Sequence, residues 1–287
     1  MFQIITPATS ANLGVGFDCL GIALDIQNIF YVEPSDSYVL EGVEEAYANE
    51  DNLFIQSYKK ACAYLEVEEI PLHVIFESHV PISRGLGSSA TLIVGGIIAC
   101  FGIHKMEVDK LVVLQLASSI EGHPDNVAPC IYGGLCSSYK IEGGYETIHF
   151  TVDPSLLFTT FIPDFEVSTE QARSLLPREY NREDVVKNLS NILAVVKGFE
   201  TGNISQIRLA EEDKIHEPYR RPLICGFHKL HNLFLEETEG VLLISGSGST
   251  CLGISKKVWD KQVLYDEFPK WNIVDVKVND TGVLIKE

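Results

Sequence analysis

HVPISRGLGSSATLIVGGIIACFG, residues 79–102, sets a Pro- and Gly-rich loop directly before an apolar run. The run is apolar on every face, which predicts a helix buried nearly all round. The loop segment PISRGLGSSA, Pro81 to Ala90, carries the sharpest signal in the chain. Gly85 and Gly87 let backbone amides approach an anion, Ser88 and Ser89 supply hydroxyls, and the following helix aims its positive end at the same point. That is the chemistry of a phosphate cradle. A tight turn packing a helix on a sheet is the alternative for a short GxG.

Two familiar nucleotide folds fail on the same residues. GLGSSA satisfies G-x-G-x-x-[G/A], but HVPISR separates it from the preceding strand, and Glu107 and Asp109 begin a helix instead of ending a strand. A P-loop fails because the GK[ST] ending is absent and no Lys lies between Lys60 and Lys105. The cradle belongs to another nucleotide-binding architecture.

Upstream, residues 2–6 and 22–32 read as strands separated by the turn TSANLGVGFDCLG. Asn52 to Leu65 has apolar residues at helical spacing behind an Asp51–Asn52 cap, and residues 71–78 alternate as a strand. Downstream, Glu107 to about Ile120 reads as a helix, then EGHPDNVAP (121–129) leads to a strand in GGLCSSYKI. Beyond Asp153 come a strand in SLLFTTFIP, helices in STEQARSLLP and REDVVKNLSNILAVVKGF, a strand–loop–strand in VLLISGSGSTCLGIS, and short strands in NIVDVKV and VLIKE. With no internal repeat and no linker richer than Asp153–Pro154, two closely packed α+β halves are expected, residues 1–153 and 154–287.

Composition narrows the function. The chain has 287 residues, 46% hydrophobic and 22% charged, enough for one large or two ordinary folded domains and unlike a disordered chain. No run approaches the roughly 18 apolar residues of a membrane span. The start MFQIITPATSANLG lacks a signal-peptide pattern and the seven cysteines are scattered without a CxxC pair, so a reducing cytoplasm is expected. Forty acidic against 22 basic residues give a net charge of −18, which argues against a nucleic-acid partner. Only seven residues are Arg, and Arg84, Arg173, Arg220 and Arg221 all fall in specialised segments.

Three further segments bear chemistry. PATSANLGVGFDCLG (7–21) combines Asn12 and Asp18 with three glycines; an Asx-stabilised loop is its bland reading. EGHPDNVAP packs Glu121, His123, Asp125 and Asn126 into six residues. A helix-terminal carboxylate beside serine hydroxyls suits Mg²⁺, which takes few protein oxygens and completes its shell with phosphates and water. His123 is read as a turn or packing residue, and zinc is not expected there, since no His or Cys pair has ligand spacing around it. ISGSGST (244–250) joins two strands and could cover a ligand with amides; Arg173 and Arg220 are candidates to grip a carboxylate in two bonds.

Together these segments resemble the GHMP kinase superfamily, and within it most closely the homoserine kinases. PATSANLGVGFDCLG, PISRGLGSSA and ISGSGST are similar to the three superfamily motifs in order; EGHPDNVAP, STEQARSLLP and HEPYRRPL are similar to homoserine-kinase segments. Ser249 departs from a frequent Pro, and Cys225 from the usual LIPG. The resemblance implies an α+β GHMP kinase fold with a ribosomal-S5-like N-terminal domain and a ferredoxin-like C-terminal domain. It implies ATP and Mg²⁺ between them, L-homoserine as substrate, and leaves a homodimer open. By the same resemblance, Pro81, Ile82, Ser83, Arg84, Gly85, Leu86, Gly87, Ser88, Ser89 and Ala90 bind the nucleotide, with Asn52 against the adenine. Ser89 and Glu121 hold the metal. Arg173 and Arg220 take the substrate carboxylate, and Asn12, Asp18, Asn126 and Gly246 the rest of it. Asn126, Glu121 and Arg173 are the residues nearest the chemistry. Asn126 cannot accept a proton, so Asp125 competes as a base, and it should point elsewhere if the segment is extended. Another small-molecule kinase of the superfamily and a non-catalytic nucleotide-binding regulator are the alternatives.

Overall fold

Strand β1 (Phe2–Ala11) runs five residues beyond the expected end at Thr6, in a computed structural model that describes residues 1–287. Pro7 cannot donate to a ladder, and the pairing of β1 with β2 (Leu20–Pro34) shifts register between Pro7 and Ala8. A bulge at that point lets the strand continue past the proline. The loop shortens to residues 12–19, held between two strands and carrying Asn12 and Asp18 at its ends.

Next come β3 (Val39–Glu41), α1 (Leu53–Tyr64) and β4 (Leu72–Glu77). Asn52 caps α1, its Oδ1 accepting the Phe54 amide at 2.9 Å. The apolar run forms α2 (Ser88–Ile103), buried on most sides as expected. Gly95 and Gly96 face Phe54 so closely that a Cβ at Gly96 would lie 2.1 Å from the Phe54 carbonyl oxygen, which is how α1 and α2 pack flush. Helix α3 (Lys110–Glu121) starts later than Glu107 because Asp109 caps it through the amides of Leu111 and Val112. Then follow α4 (Val127–Tyr132), β5 (Leu135–Ile141) and β6 (Gly144–Phe150). The short helix α4 settles the conformation that the sequence left open: EGHPDNVAP is not extended, and Asn126 is already helical, at φ −97° and ψ −42°.

The second half contains β7 (Leu157–Ile162), α5 (Thr169–Ser174), α6 (Arg182–Thr201), α7 (Ile204–Ile207), α8 (Glu217–Arg220) and α9 (Phe227–Thr238). It closes with β8 (Val241–Ile244), β9 (Cys251–Ser255), α10 (Gln262–Glu267) and β10 (Asn272–Val276). Its sheet is antiparallel in the order β10-β7-β9-β8, the 4-1-3-2 arrangement of a ferredoxin-like unit. The final strand β11 (Leu284–Lys286) returns to pair with β1, so a unit of residues 154–287 does not close on itself. One apolar cluster joins Ala8, Leu20 and Leu86 to Phe199, Leu243 and Ile254. The two sheets thus share a core and fix the cleft between them. No helix is long and apolar enough to cross a membrane.

Candidate active site

Gly87 opens α2 in the left-handed conformation, at φ +69°, and no side chain caps the helix. The first amides of α2 are therefore free of intrahelical partners and face the cleft. A Cβ at Gly87 would lie 2.0 Å from Thr9 Oγ1 and 3.2 Å from Asn126 Oδ1, so glycine is required for β1 and α4 to meet the loop. Gly85, at φ +74°, would clash likewise with the Ser245 carbonyl oxygen at 2.2 Å. Ser245 Oγ donates to the Gly85 carbonyl at 2.6 Å and the Thr250 amide to that of Arg84 at 3.0 Å. The ISGSGST loop is thereby stitched to the cradle, and its departure from proline is used: Ser249 Oγ donates to the Phe165 carbonyl at 2.6 Å. The other departure, Cys225, is exposed and precedes Gly226 at the start of α9.

The cleft encloses ≈ 540 Å³. Ile82, Ser83, Arg84, Gly85, Gly87, Ser88 and Ser89 line it, but Pro81, Leu86 and Ala90 do not. Leu86 and Ala90 are fully buried in the two apolar cores instead. Arg84 aims its guanidinium away from the cradle, to the Pro163 and Asp164 carbonyls and the Glu166 carboxylate at 3.1 Å. It ties the loop to the second half of the chain. Beyond the cradle, Val43, Tyr47, Leu53, Phe76 and Leu92 give the cleft an apolar recess beside Asn52. The Asn52 amide is committed to its capping bond and to the Tyr47 carbonyl at 2.9 Å.

Glu121 ends α3 beside the start of α2, and its Oε2 accepts Ser89 Oγ at 2.6 Å. Burial pushes the Glu121 carboxyl above its ordinary value, against the opposing pull of Ser89. A partly buried carboxylate beside a hydroxyl, next to an anion cradle, fits a hard divalent cation. Asp125 is buried and paired with His123 Nδ1. Burial disfavours a charged His123, but the bond to Asp125 together with the negative charges of Asp125, Glu121 and Asp18 outweighs it, and the imidazole pKa is raised. A Cβ on Gly21 would lie 1.9 Å from the Asp125 carbonyl oxygen, so that glycine lets β2 approach this turn. Because the turn is helical, Asp125 and Asn126 both line the cleft, contrary to the expectation for an extended segment. Asn126 Oδ1 accepts Thr9 Oγ1 at 2.8 Å, and its amide nitrogen makes no hydrogen bond to the protein.

The far end of the cleft is cationic. Arg173, in the last turn of α5, forks onto Asp18, Nη1 to Oδ2 at 2.9 Å and Nη2 to Oδ1 at 2.8 Å. Arg220 ends α8 and is 2% exposed. Its Nη1 donates to the Gly246 carbonyl at 2.9 Å and lies 3.3 Å from His216 Nδ1, while Nε is buried without a partner. A buried guanidinium facing a cavity with an orphaned donor calls for an anion. Burial and the charge of Arg173 both press its pKa down. Gly246 acts through its carbonyl, which also accepts Asn12 Nδ2 at 2.9 Å; Asn12 Oδ1 accepts the Asp18 amide at 3.0 Å. Both ends of the Asn12 amide thus brace the two loops.

Sequence reasoning missed Thr9, Phe17, Asp213 and His216. The Phe17 ring lies 5.5 Å from the Arg173 guanidinium carbon and 5.2 Å from that of Arg220, and His216 stacks at 5.2 Å from it. Since His216 Nε2 donates to the Gly14 carbonyl at 2.8 Å, its Nδ1 is the acceptor for Arg220. Burial pushes the His216 pKa down to about 4. Asp213 accepts the amides of Ile215, His216 and Glu217 and so fixes the start of α8. Thr9 and Phe17 lie inside the quoted first motif and His216 opens the quoted HEPYRRPL segment; Asp213 carries no signal that spacing alone reveals.

The model of the "GHMP kinases N terminal domain" matches residues 52–134, the stretch from the α1 cap through the cradle to α4. A homoserine kinase of Clostridium botulinum (strain Okra / Type B1) is 34% identical over 99% of this chain and 98% of its own. One from Thermosynechococcus vestitus is 37% identical over 96% and 94%. The crystal structure of homoserine kinase from Cytophaga hutchinsonii superposes with a TM-score of 0.87 at 26% identity, covering 99% of this chain and 96% of that one. Full-length similarity at this level, on a fold whose cleft joins an anion cradle to a pair of arginines, places the chain in the homoserine kinase family of GHMP kinases.

Proposed function

We propose that the protein transfers the γ-phosphoryl group of ATP to the side-chain hydroxyl of L-homoserine, giving ADP and O-phospho-L-homoserine, in threonine biosynthesis. The observation that carries this reading is Arg220, which lines the cleft with a buried guanidinium whose Nε has no partner, and which is flanked by Arg173. Arg220 holds the substrate carboxylate, and Arg173 exchanges its fork on Asp18 for that carboxylate. The freed Asp18 then faces the substrate ammonium. The recess beside Asn52 takes the adenine, and the uncapped amides of α2 with Gly85, Gly87 and Ser88 take the phosphates. Ser89 and Glu121 hold Mg²⁺, which when bound neutralises charge on the phosphoryl oxygens.

No side chain is assigned as a base. Phosphoryl transfer through a loose transition state depends mostly on alignment and charge neutralisation. Asn126, its Oδ1 held by Thr9, donates through its nitrogen to the attacking oxygen and keeps it in line. That oxygen bonds to the γ-phosphorus as the bond to ADP breaks, and its proton passes to a phosphoryl oxygen. ADP release measured with L-homoserine, mevalonate, galactose and shikimate tests the assignment. L-homoserine is expected to exceed the others by about a hundredfold or more in kcat/KM; preference for another alcohol overturns it.

A further inference from the structure

Away from the cleft, Cys62 near the end of α1 and Cys100 near the end of α2 bring their sulfurs within 3.4 Å, both buried. His104, just past α2 and half-buried, completes the group: one of its ring nitrogens and both sulfurs lie within 4.8 Å of one another. Cys100 and His104 are four residues apart at the end of one helix, whereas Cys62 comes from another helix, so no metal motif is visible in the sequence. His104 Nε2 lies 3.0 Å from the Glu68 carbonyl oxygen and must donate to it. In the neutral ring this leaves the Nδ1 lone pair for the sulfurs, the second-sphere arrangement usual for a metal-ligating imidazole.

We propose that Cys62, Cys100 and His104 form a binding site for a thiophilic d¹⁰ cation, Zn²⁺, independent of the kinase site. Two thiolates at about 2.3 Å from a tetrahedral zinc lie about 3.8 Å apart. The two sulfurs are within a few tenths of an ångström of that spacing, and far from the about 2.05 Å of a disulfide. Two thiolates, one neutral imidazole and Zn²⁺ sum to zero charge, which suits a buried site. On coordination each thiol proton goes to solvent and nothing is oxidised. Half-buried His104 gives the ion access and leaves the fourth position to water. The site clamps α1 to α2 at the end of α2 opposite the cradle, with about 18 Å of helix between Ser88 and Cys100.

The test uses the full-length protein, reduced and stripped of metal, titrated with Co²⁺ and then Zn²⁺. A sulfur-to-cobalt charge-transfer band should saturate at one equivalent and be bleached by Zn²⁺. Cys62→Ser and Cys100→Ser should each abolish the band, His104→Ala should weaken binding about tenfold or more, and Cys225→Ser should leave it unchanged. Because the cysteine variants remove buried groups, the melting temperature gives a second readout: saturating Zn²⁺ should raise it by about 5 °C in the parent and much less in His104→Ala. Absence of the band in folded parent protein overturns the proposal, as does a band that survives Cys100→Ser or is lost in Cys225→Ser. Conversion of the two thiols to a disulfide without metal uptake also overturns it. Kinase activity enters none of these outcomes, so they stand or fall apart from the proposed reaction.

Discussion

Replacing Arg220 by Met removes a guanidinium from a site where it is 2% exposed while keeping an unbranched apolar stem over Phe17. The internal losses are limited. Gly246 keeps Asn12 as a donor to its carbonyl, and only His216 Nδ1 loses its partner. The loss to substrate is larger, because Arg220 offers the carboxylate a desolvated, charged donor. Hydrogen bonds to charged groups are worth about 1.5–3 kcal/mol, which predicts a homoserine KM raised by about 10- to 150-fold. The ATP KM should change by less than about threefold, since Arg220 is not among the residues read as holding the nucleotide and Gly246 keeps its bond from Asn12. The matched assay is ADP release at saturating ATP with L-homoserine and with 3-aminopropan-1-ol, the same molecule without its carboxylate. The parent should prefer L-homoserine strongly, and Arg220→Met should erase most of that preference by losing L-homoserine alone. A variant that kept the preference while losing ATP affinity would refute the assignment of this end of the cleft to the carboxylate.

Other perturbations separate the remaining roles. Glu121→Gln should lower kcat steeply and weaken Mg²⁺ dependence without unfolding the protein; normal turnover at unchanged Mg²⁺ demand would move the metal elsewhere. In the metal-free parent, burial raises the Glu121 pKa, so the Mg²⁺ concentration needed for half-maximal activity should rise on acidification from a pH above the ordinary glutamate range, and this pH dependence should be absent from the residual activity of Glu121→Gln. Asn126→Ala should cost on the order of a hundredfold in single-turnover rate, while Asp125→Asn keeps most of it; near-total loss in Asp125→Asn with loss of an acidic limb would reveal a carboxylate base. His216 has a folded pKa pushed down to about 4 from 6.5, so the unfolded chain binds its proton first and stability should fall as pH drops from about 6.5 to 4. The loss is of order 3 kcal/mol in urea titrations and should be much smaller in His216→Gln.

Much of this was legible in the chain because the chemistry sits in contiguous segments. Gly85, Gly87 and the two serines announce the cradle by residue type alone, and the apolar run behind them announces a buried helix. Spacing could not show which way side chains turn. Arg84 looks like a phosphate ligand but serves as a strut, and Leu86 and Ala90 lie in the cradle sequence yet face the cores. Pro7 reads as a strand end but sits at a bulge, so β1 carries Thr9 onward to Asn126. The conformation of EGHPDNVAP is the clearest gap in what spacing shows, since a helical Asn126 brings both Asp125 and Asn126 to the cleft where an extended segment would alternate them. His216 acts through a hydrogen bond to a carbonyl 202 positions earlier. Such a pairing is a product of the tertiary fold and leaves no local pattern.

The central claim is tested most directly by following ³¹P resonances as the protein acts on ATP and L-homoserine with Mg²⁺. The account predicts a phosphate monoester coupled to the two protons of the adjacent methylene, growing in equal amount with ADP. Appearance of ADP with inorganic phosphate alone, or of a phosphorylated carboxylate or amine, would contradict it.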